Sequence, residues 1–165
     1  MRHLILIAMM LCGTSVAQAA PVAPPSGDVV LTVSGAIDFA GDDGTVKFDM
    51  SMLEALPQRE TTTETPWYDG ARTFKGPLGS EILAAVGAFG TVVHVTAIND
   101  YSADIPIQDF MNNPVILATT IDGEHLSVRD KGPLFVIYPF DLDPDLYNEA
   151  IFGRSVWQVV SIEVR

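Results

Sequence analysis

The sequence predicts a β-rich α+β domain, and three observations lead there. Short β-branched and aromatic runs recur along the chain, turn residues separate them, and the helical patterns are few and brief. The 165 residues, 48% apolar and 18% charged, are enough for one globular domain with its own core. The only low-complexity stretch is a short Pro-rich one near the start, and no internal repeat is present.

Residues 1–19 read as a signal peptide. Met1-Arg2-His3 is a short basic start, Leu4 to Leu11 is apolar, and Ala17-Gln18-Ala19 offers small residues for cleavage after Ala19. The apolar run is shorter than the roughly 20 residues a bilayer helix needs, so export to the periplasm is expected. Cys12 raises lipidation as an alternative, which the bulky Met9-Met10-Leu11 before it disfavours. Residues 20–27 form a Pro-rich tether, and the domain is expected over 28–165.

Within the domain, Val29 to Val33 and Val46 to Met50 read as strands, joined by a hairpin turn at Gly41-Asp42-Asp43-Gly44. Ser51-Met52-Leu53-Glu54 matches a capping box and predicts a short helix that ends before Pro57. Glu60 to Thr65 alternates acids with threonine, which suits a strand with one exposed face. Gly79-Ser80-Glu81 predicts a second helix with Ser80 as its cap and Gly87 as its stop. Thr91 to Ala97, Val115 to Thr120, Phe135 to Tyr138 and Val156 to Val164 are further strands, the second and third continuous enough to be buried.

Charge and composition exclude several functions. The formal charge is −12, with 9 basic against 21 acidic residues, and loss of Arg2 with the signal peptide makes it −13. A nucleic-acid or anionic-membrane surface needs basic patches, so neither is expected. Cys12 is the sole cysteine, so the mature domain has no disulfide, thiolate nucleophile or cysteine-built metal site. Asp141-Leu142-Asp143-Pro144-Asp145 begins like a calcium loop but has Leu146 and Phe152 where that loop requires Gly and Glu. Asp143 capping a turn that starts at Pro144 is the plainer reading. Gly153-Arg154-Ser155-Val156-Trp157 lacks the second glycine of a nucleophile elbow, and His94, alternating with Val92 and Thr96, reads as a structural histidine.

Three clusters pair an aromatic or charged side chain with groups that hydrogen-bond a flat polar ring. They are Glu64-Thr65-Pro66-Trp67-Tyr68 with Arg72, Asn99-Asp100-Tyr101 after a strand, and Arg129-Asp130-Lys131-Gly132 at a charged turn. Trp157 joins them as either an outward sheet aromatic or a ligand wall. Its predicted strand places it with Ser161 and Glu163 on the face opposite Val160, Ile162 and Val164.

The ordered series Phe74-x-Gly76-Pro77-Leu78, Leu83-Ala84-Ala85-Val86-Gly87, Asn99-Asp100-Tyr101, Asp122-Gly123-x-x-Leu126, Lys131-Gly132-Pro133-Leu134 with Tyr138-Pro139, and the Trp157 strand resembles the molybdopterin-binding domain of the sulfite oxidase superfamily, over about residues 28–165. The resemblance implies a sulfite-oxidase-like fold and a pterin-shaped pocket. In that family a cysteine just past the strand corresponding to Glu60–Thr65 ligates molybdenum, and here the region reads Thr65-Pro66-Trp67. The chain therefore resembles the small exported members that bind a reduced pterin without metal and signal through a membrane-bound partner, such as an enzyme of cyclic di-GMP.

The expected ligand-binding set is Glu64, Thr65, Trp67, Tyr68, Arg72, Asp100, Tyr101, Arg129, Asp130 and Trp157, with no catalytic residue and no metal ligand. A carboxylate such as Glu64 or Asp130 would take the ring's N–H donors, an arginine its carbonyl, and Trp67 would stack on it. The acidic balance favours an unphosphorylated pterin unless Arg72, Arg129 and Arg154 converge. Two other classes remain: an oxidoreductase whose molybdenum cofactor is held without a protein thiolate, and an interaction protein with a vestigial pocket.

Overall fold

The computed structural model describes residues 22–165. The signal-peptide reading of 1–19, Cys12 included, lies outside the described residues. The end of the Pro-rich tether is fastened to the domain: Val22 packs against the core, and the Ser26 and Gly27 amides each donate to the Asp49 carboxylate at 2.8 Å.

Eleven strands and four short helices make up the domain. In chain order they are β1 (Val29–Gly35), β2 (Thr45–Asp49), α1 (Met50–Ala55), β3 (Gln58–Thr65), β4 (Tyr68–Pro77), α2 (Gly79–Ala85), β5 (Val92–Ala97), β6 (Ser102–Pro106), α3 (Ile107–Asn112), β7 (Ile116–Ala118), β8 (Thr120–Ile121), β9 (Glu124–His125), β10 (Phe135–Ile137), α4 (Glu149–Arg154) and β11 (Val159–Val164). Single 3-10 turns cover Val128–Asp130 and Pro144–Leu146. Among the described residues no helix is long and apolar enough to cross a membrane.

The strands form a five-stranded sheet ordered β2-β1-β11-β5-β6, a four-stranded sheet ordered β3-β4-β8-β9, and the pair β10-β7. Only β1 and β11 run parallel. The β7–β10 pair joins the two larger sheets. Its alternate side chains point to opposite faces, so Leu117 and Val136 enter the main core while Ile116, Ala118, Phe135 and Ile137 pack with Phe74 in a second cluster. Both faces being covered explains the unbroken apolar sequence of these strands.

Several local expectations are corrected. Asp49, not Ser51, caps α1: its carboxylate accepts from the Met52 amide at 2.9 Å and from the Ser51 hydroxyl at 2.6 Å. These contacts, with the two tether amides, hold the Asp49 carboxyl far below the ordinary carboxylate range. Helix α2 is preceded by Leu78 with no side-chain cap, and Ser80 lies inside it. The last strand begins at Val159, because Gln158 has φ 55°, in the left-handed region, and breaks the alternation that placed Trp157. Trp157 instead forms an isolated bridge with Phe135. Gly87 at φ 63° ends α2, and Asp143 caps the turn at Pro144 by accepting from the Asp145 amide, as the sequence predicts.

Candidate functional site

The β3–β4 hairpin carries Trp67 at its tip, between the register pair Thr65 and Tyr68. Its indole meets three rings edge-on: Phe135 at 5.1 Å, Phe152 at 5.9 Å and Trp157 at 6.0 Å between centroids. Phe135 is buried in β10 and also meets Trp157, at 6.1 Å, so the indoles are braced from below by the strand pair. Edge-to-face pairs of this kind each add about 0.5–1.5 kcal/mol beyond area burial, which keeps the wall ordered.

A cavity of about 240 Å³ opens against this wall, lined by Trp67, Trp157 and Phe152 together with Asn99, Tyr101 and Ser155. The β5–β6 turn supplies Asn99 and Tyr101. It is held by Asp100 in a left-handed conformation at φ 65°, by the Asp100 amide on the Ala97 carbonyl, and by the Tyr101 amide on the Asn99 carboxamide oxygen at 3.2 Å. The Tyr101 hydroxyl donates to the Gly153 carbonyl at 2.9 Å, tying this turn to α4. Helix α4 is capped by Asn148, which accepts from the Ala150 and Ile151 amides, and it turns Phe152 and Ser155 toward the cavity. Behind it, Arg154 donates to Asp109 at 2.9 Å, and the buried Tyr138 hydroxyl donates to the same carboxylate at 2.7 Å. Burial, and then the Asp109 charge, push the Tyr138 phenol far above its usual range.

Of the expected residues, Trp67, Tyr101 and Trp157 line one cavity. Asp100 is exposed and shapes the turn beside it. Glu64 points elsewhere, into the wall of a second cavity with Thr62, Thr63, Asp141 and Tyr147. Tyr68 forms its own group: its ring lies 4.5 Å from Lys131 Nζ and 5.5 Å from the Arg72 guanidinium, and its hydroxyl donates to the Asp130 carbonyl at 3.2 Å. Burial first, and then the Asp130 charge, raise its phenol pKa. Arg72 pairs with Asp122 in the β8–β9 turn, whose carboxyl is held low by the Thr73 amide first and then by that arginine. Asp130 accepts from the Ser127 hydroxyl at 2.7 Å, and Arg129 is exposed. Because Arg72 and Arg154 are taken up by separate carboxylates, they do not act as one cradle with Arg129. Sequence reasoning missed Phe152 and Ser155. The usable signal was Asn148, a capping residue just before Glu149 and the apolar pair Ile151-Phe152.

Residues 31–141 match the family described as the oxidoreductase molybdopterin binding domain. The chain belongs to this family. In the crystal structure of the sulfane dehydrogenase SoxCD from Paracoccus pantotrophus, one chain is similar with a TM-score of 0.60 and 18% identity, covering 81% of this chain and 37% of that one. That likeness concerns the fold, which is of the sulfite-oxidase type, and this chain spans little more than a third of its relative's length. No curated protein matches the chain.

The family implies a molybdopterin-type group, and the residues fit its organic ring. The aromatic walls suit a flat bicycle, while the Asn99 carboxamide and the Tyr101 and Ser155 hydroxyl oxygens supply polar contacts at its edge. Thr65, just before Pro66-Trp67, is 5% exposed and its Oγ1 has no hydrogen-bond partner among the described residues. The residues do not supply the metal's protein ligand. Thr65 brings a neutral hydroxyl where the resemblance calls for a thiolate, and among the described residues no three His, Cys, Asp or Glu side chains gather to hold an ion.

Proposed function

We propose that this protein is a periplasmic pterin-binding module that works through a membrane-anchored signalling partner rather than through molybdenum redox chemistry. The observation that carries the reading is the two-tryptophan cavity joined to a hairpin with a partnerless hydroxyl and no thiolate. Its size, below the ~300–1,000 Å³ range of drug-sized sites, suits a single bicyclic ring. Trp67 and Trp157, steeply inclined to each other, wall the ring on adjacent sides, Asn99 donates to its carbonyl, and hydroxyl oxygens rather than Glu64 or Asp130 meet its N–H groups. Export rests on the basic-apolar-small pattern of residues 1–19, and the partner on the resemblance to exported, metal-free members.

The protein's only two tryptophans both line the cavity, so intrinsic fluorescence reports binding directly. Titration with 6-methyl-7,8-dihydropterin is expected to quench both and to saturate at one equivalent. Trp67→Ala is expected to weaken binding by about 1–3 kcal/mol, the scale of base stacking on an aromatic. Saturable quenching with unchanged affinity in that variant removes Trp67 from the site, and no quenching in the native protein overturns the reading.

The family's oxidoreductase character favours a second reading, in which the cofactor brings its own metal ligands. Molybdenum bound at one equivalent in protein from a cofactor-competent host, with redox turnover, distinguishes it.

A further inference from the structure

We infer that Asp109, which does not line the two-tryptophan cavity, is a positioning residue for ligand binding: it holds α4, and with it Phe152 and Ser155, against that cavity. The inference rests on the pterin reading and names what keeps its site in shape. Helix α4 cannot hold itself. It has six residues, well short of the roughly 12–15 a helix needs to be stable alone, and Ile151 is its only buried side chain. A Cβ at Gly153 would meet nothing within 4 Å, so that side of the helix leans on no neighbour.

Two side-chain contacts grip its C-terminal end from outside the helix. One is the neutral bond from the Tyr101 hydroxyl to the Gly153 carbonyl, and Tyr101 is itself 50% exposed on a turn. The other is the Arg154–Asp109 pair, charge-assisted and partly sheltered, which is the only ion pair α4 makes among the described residues. Asp109 can act as the fixed end because its own footing is the core. It lies in the first turn of α3 between buried Ile107 and Phe110, and Phe110 packs so closely on Gly79 that a Cβ there would come 2.4 Å from its ring. The fully buried Tyr138 donates to the same carboxylate oxygen that Arg154 meets.

The two sides of the cavity are therefore held by different means. Trp157 is fixed by its bridge to Phe135 and by the Val136 amide on the Val156 carbonyl at 2.9 Å, contacts that do not involve Asp109. Phe152, whose ring meets Trp67 at 5.9 Å, and Ser155, which follows Arg154 directly, depend on where α4 is set. Removing the Asp109 charge loosens the α4 side of the wall and leaves the Trp157 side in place.

The test compares Asp109→Asn, Arg154→Met and the double variant, each titrated with 6-methyl-7,8-dihydropterin by tryptophan fluorescence at a temperature where it is fully folded. Each single change is expected to weaken binding about tenfold, and the double no more than about tenfold, because both remove the same contact. Asp43→Asn, which breaks the exposed pair with Lys47, is expected to bind like the native protein. Without ligand, the indole N–H resonance of Trp67 in a 1H–15N spectrum is expected to move in Asp109→Asn while that of Trp157 stays. Native affinity in Asp109→Asn, however far its Tm falls, overturns the positioning role while the pterin reading stands. Losses that multiply to about a hundredfold in the double variant show that Asp109 does not act through Arg154, and overturn it as well. A native protein that binds no dihydropterin overturns the pterin reading by itself, and the Trp67 resonance then decides: unmoved in Asp109→Asn, it overturns the positioning role too.

Discussion

Replacing Tyr138 by Phe removes one oxygen from the support beneath the cavity. The ring is fully buried, so its packing survives the change. Its hydroxyl donates to Asp109 at 2.7 Å, and that carboxylate keeps Arg154 at 2.9 Å. A hydrogen bond to a charged group contributes about 1.5–3 kcal/mol. Because the carboxylate retains its arginine and some solvent contact, the cost should be about 2 kcal/mol, or a fall of about 4–8 °C in Tm for a chain of this size. Thermal unfolding followed by circular dichroism measures it. The double mutant with Arg154→Met should show coupling, since both donors share one acceptor. The native phenol's pKa is raised above the free value of 10, so its contribution is complete below pH 10 and declines above it as the unfolded chain ionises. A shift under 1 °C, or an alkaline stability limb identical in Tyr138→Phe, refutes this account.

At the other end of the pH scale, Asp49 has its folded pKa depressed below 3.8, so its stabilisation is present above that value and lost as pH falls through the acid range. Asp49→Asn should lower Tm at pH 7 and flatten the acid limb, and an unchanged acid profile contradicts the cap and tether contacts. Gly76→Ala places a Cβ 2.1 Å from the Leu117 carbonyl oxygen, which forces β4 from β7. It should cost about 3 kcal/mol by denaturant unfolding, and a near-neutral result would show that this strand contact is looser than described. Phe152→Ala should weaken binding of 6-methyl-7,8-dihydropterin roughly tenfold in the fluorescence titration, and wild-type affinity would exclude α4 from the wall.

Local signals were legible wherever one residue type sets the backbone. Asp43-Gly44 marked the β1–β2 turn, where Gly44 has φ 76°, and Gly87 and Asp143 marked a helix stop and a turn cap. Strand β4 was hidden because Asp69, Gly70, Arg72 and Lys75 obscure its apolar pattern, and what makes it a strand is pairing with β3 on one side and β8 on the other. Helix α3 was hidden because Pro106 stands before it without a side-chain cap. The sheet-type family fold was legible from ordered motifs more than from any one element. For the cavity, residue type singled out Trp67, Tyr101 and Trp157, whose aromatic rings suit a flat ligand. Which neighbours join them depends on tertiary placement: α4 brings Phe152 and Ser155, while strand alternation carries Glu64 to the opposite side from Thr65.

The most direct test of the central claim is mass spectrometry, combined with metal analysis, of the small molecules released from the protein purified out of the periplasm. The account predicts one equivalent of a reduced, unphosphorylated pterin and no molybdenum. Stoichiometric molybdenum, or an empty protein that also ignores added dihydropterins, would contradict it.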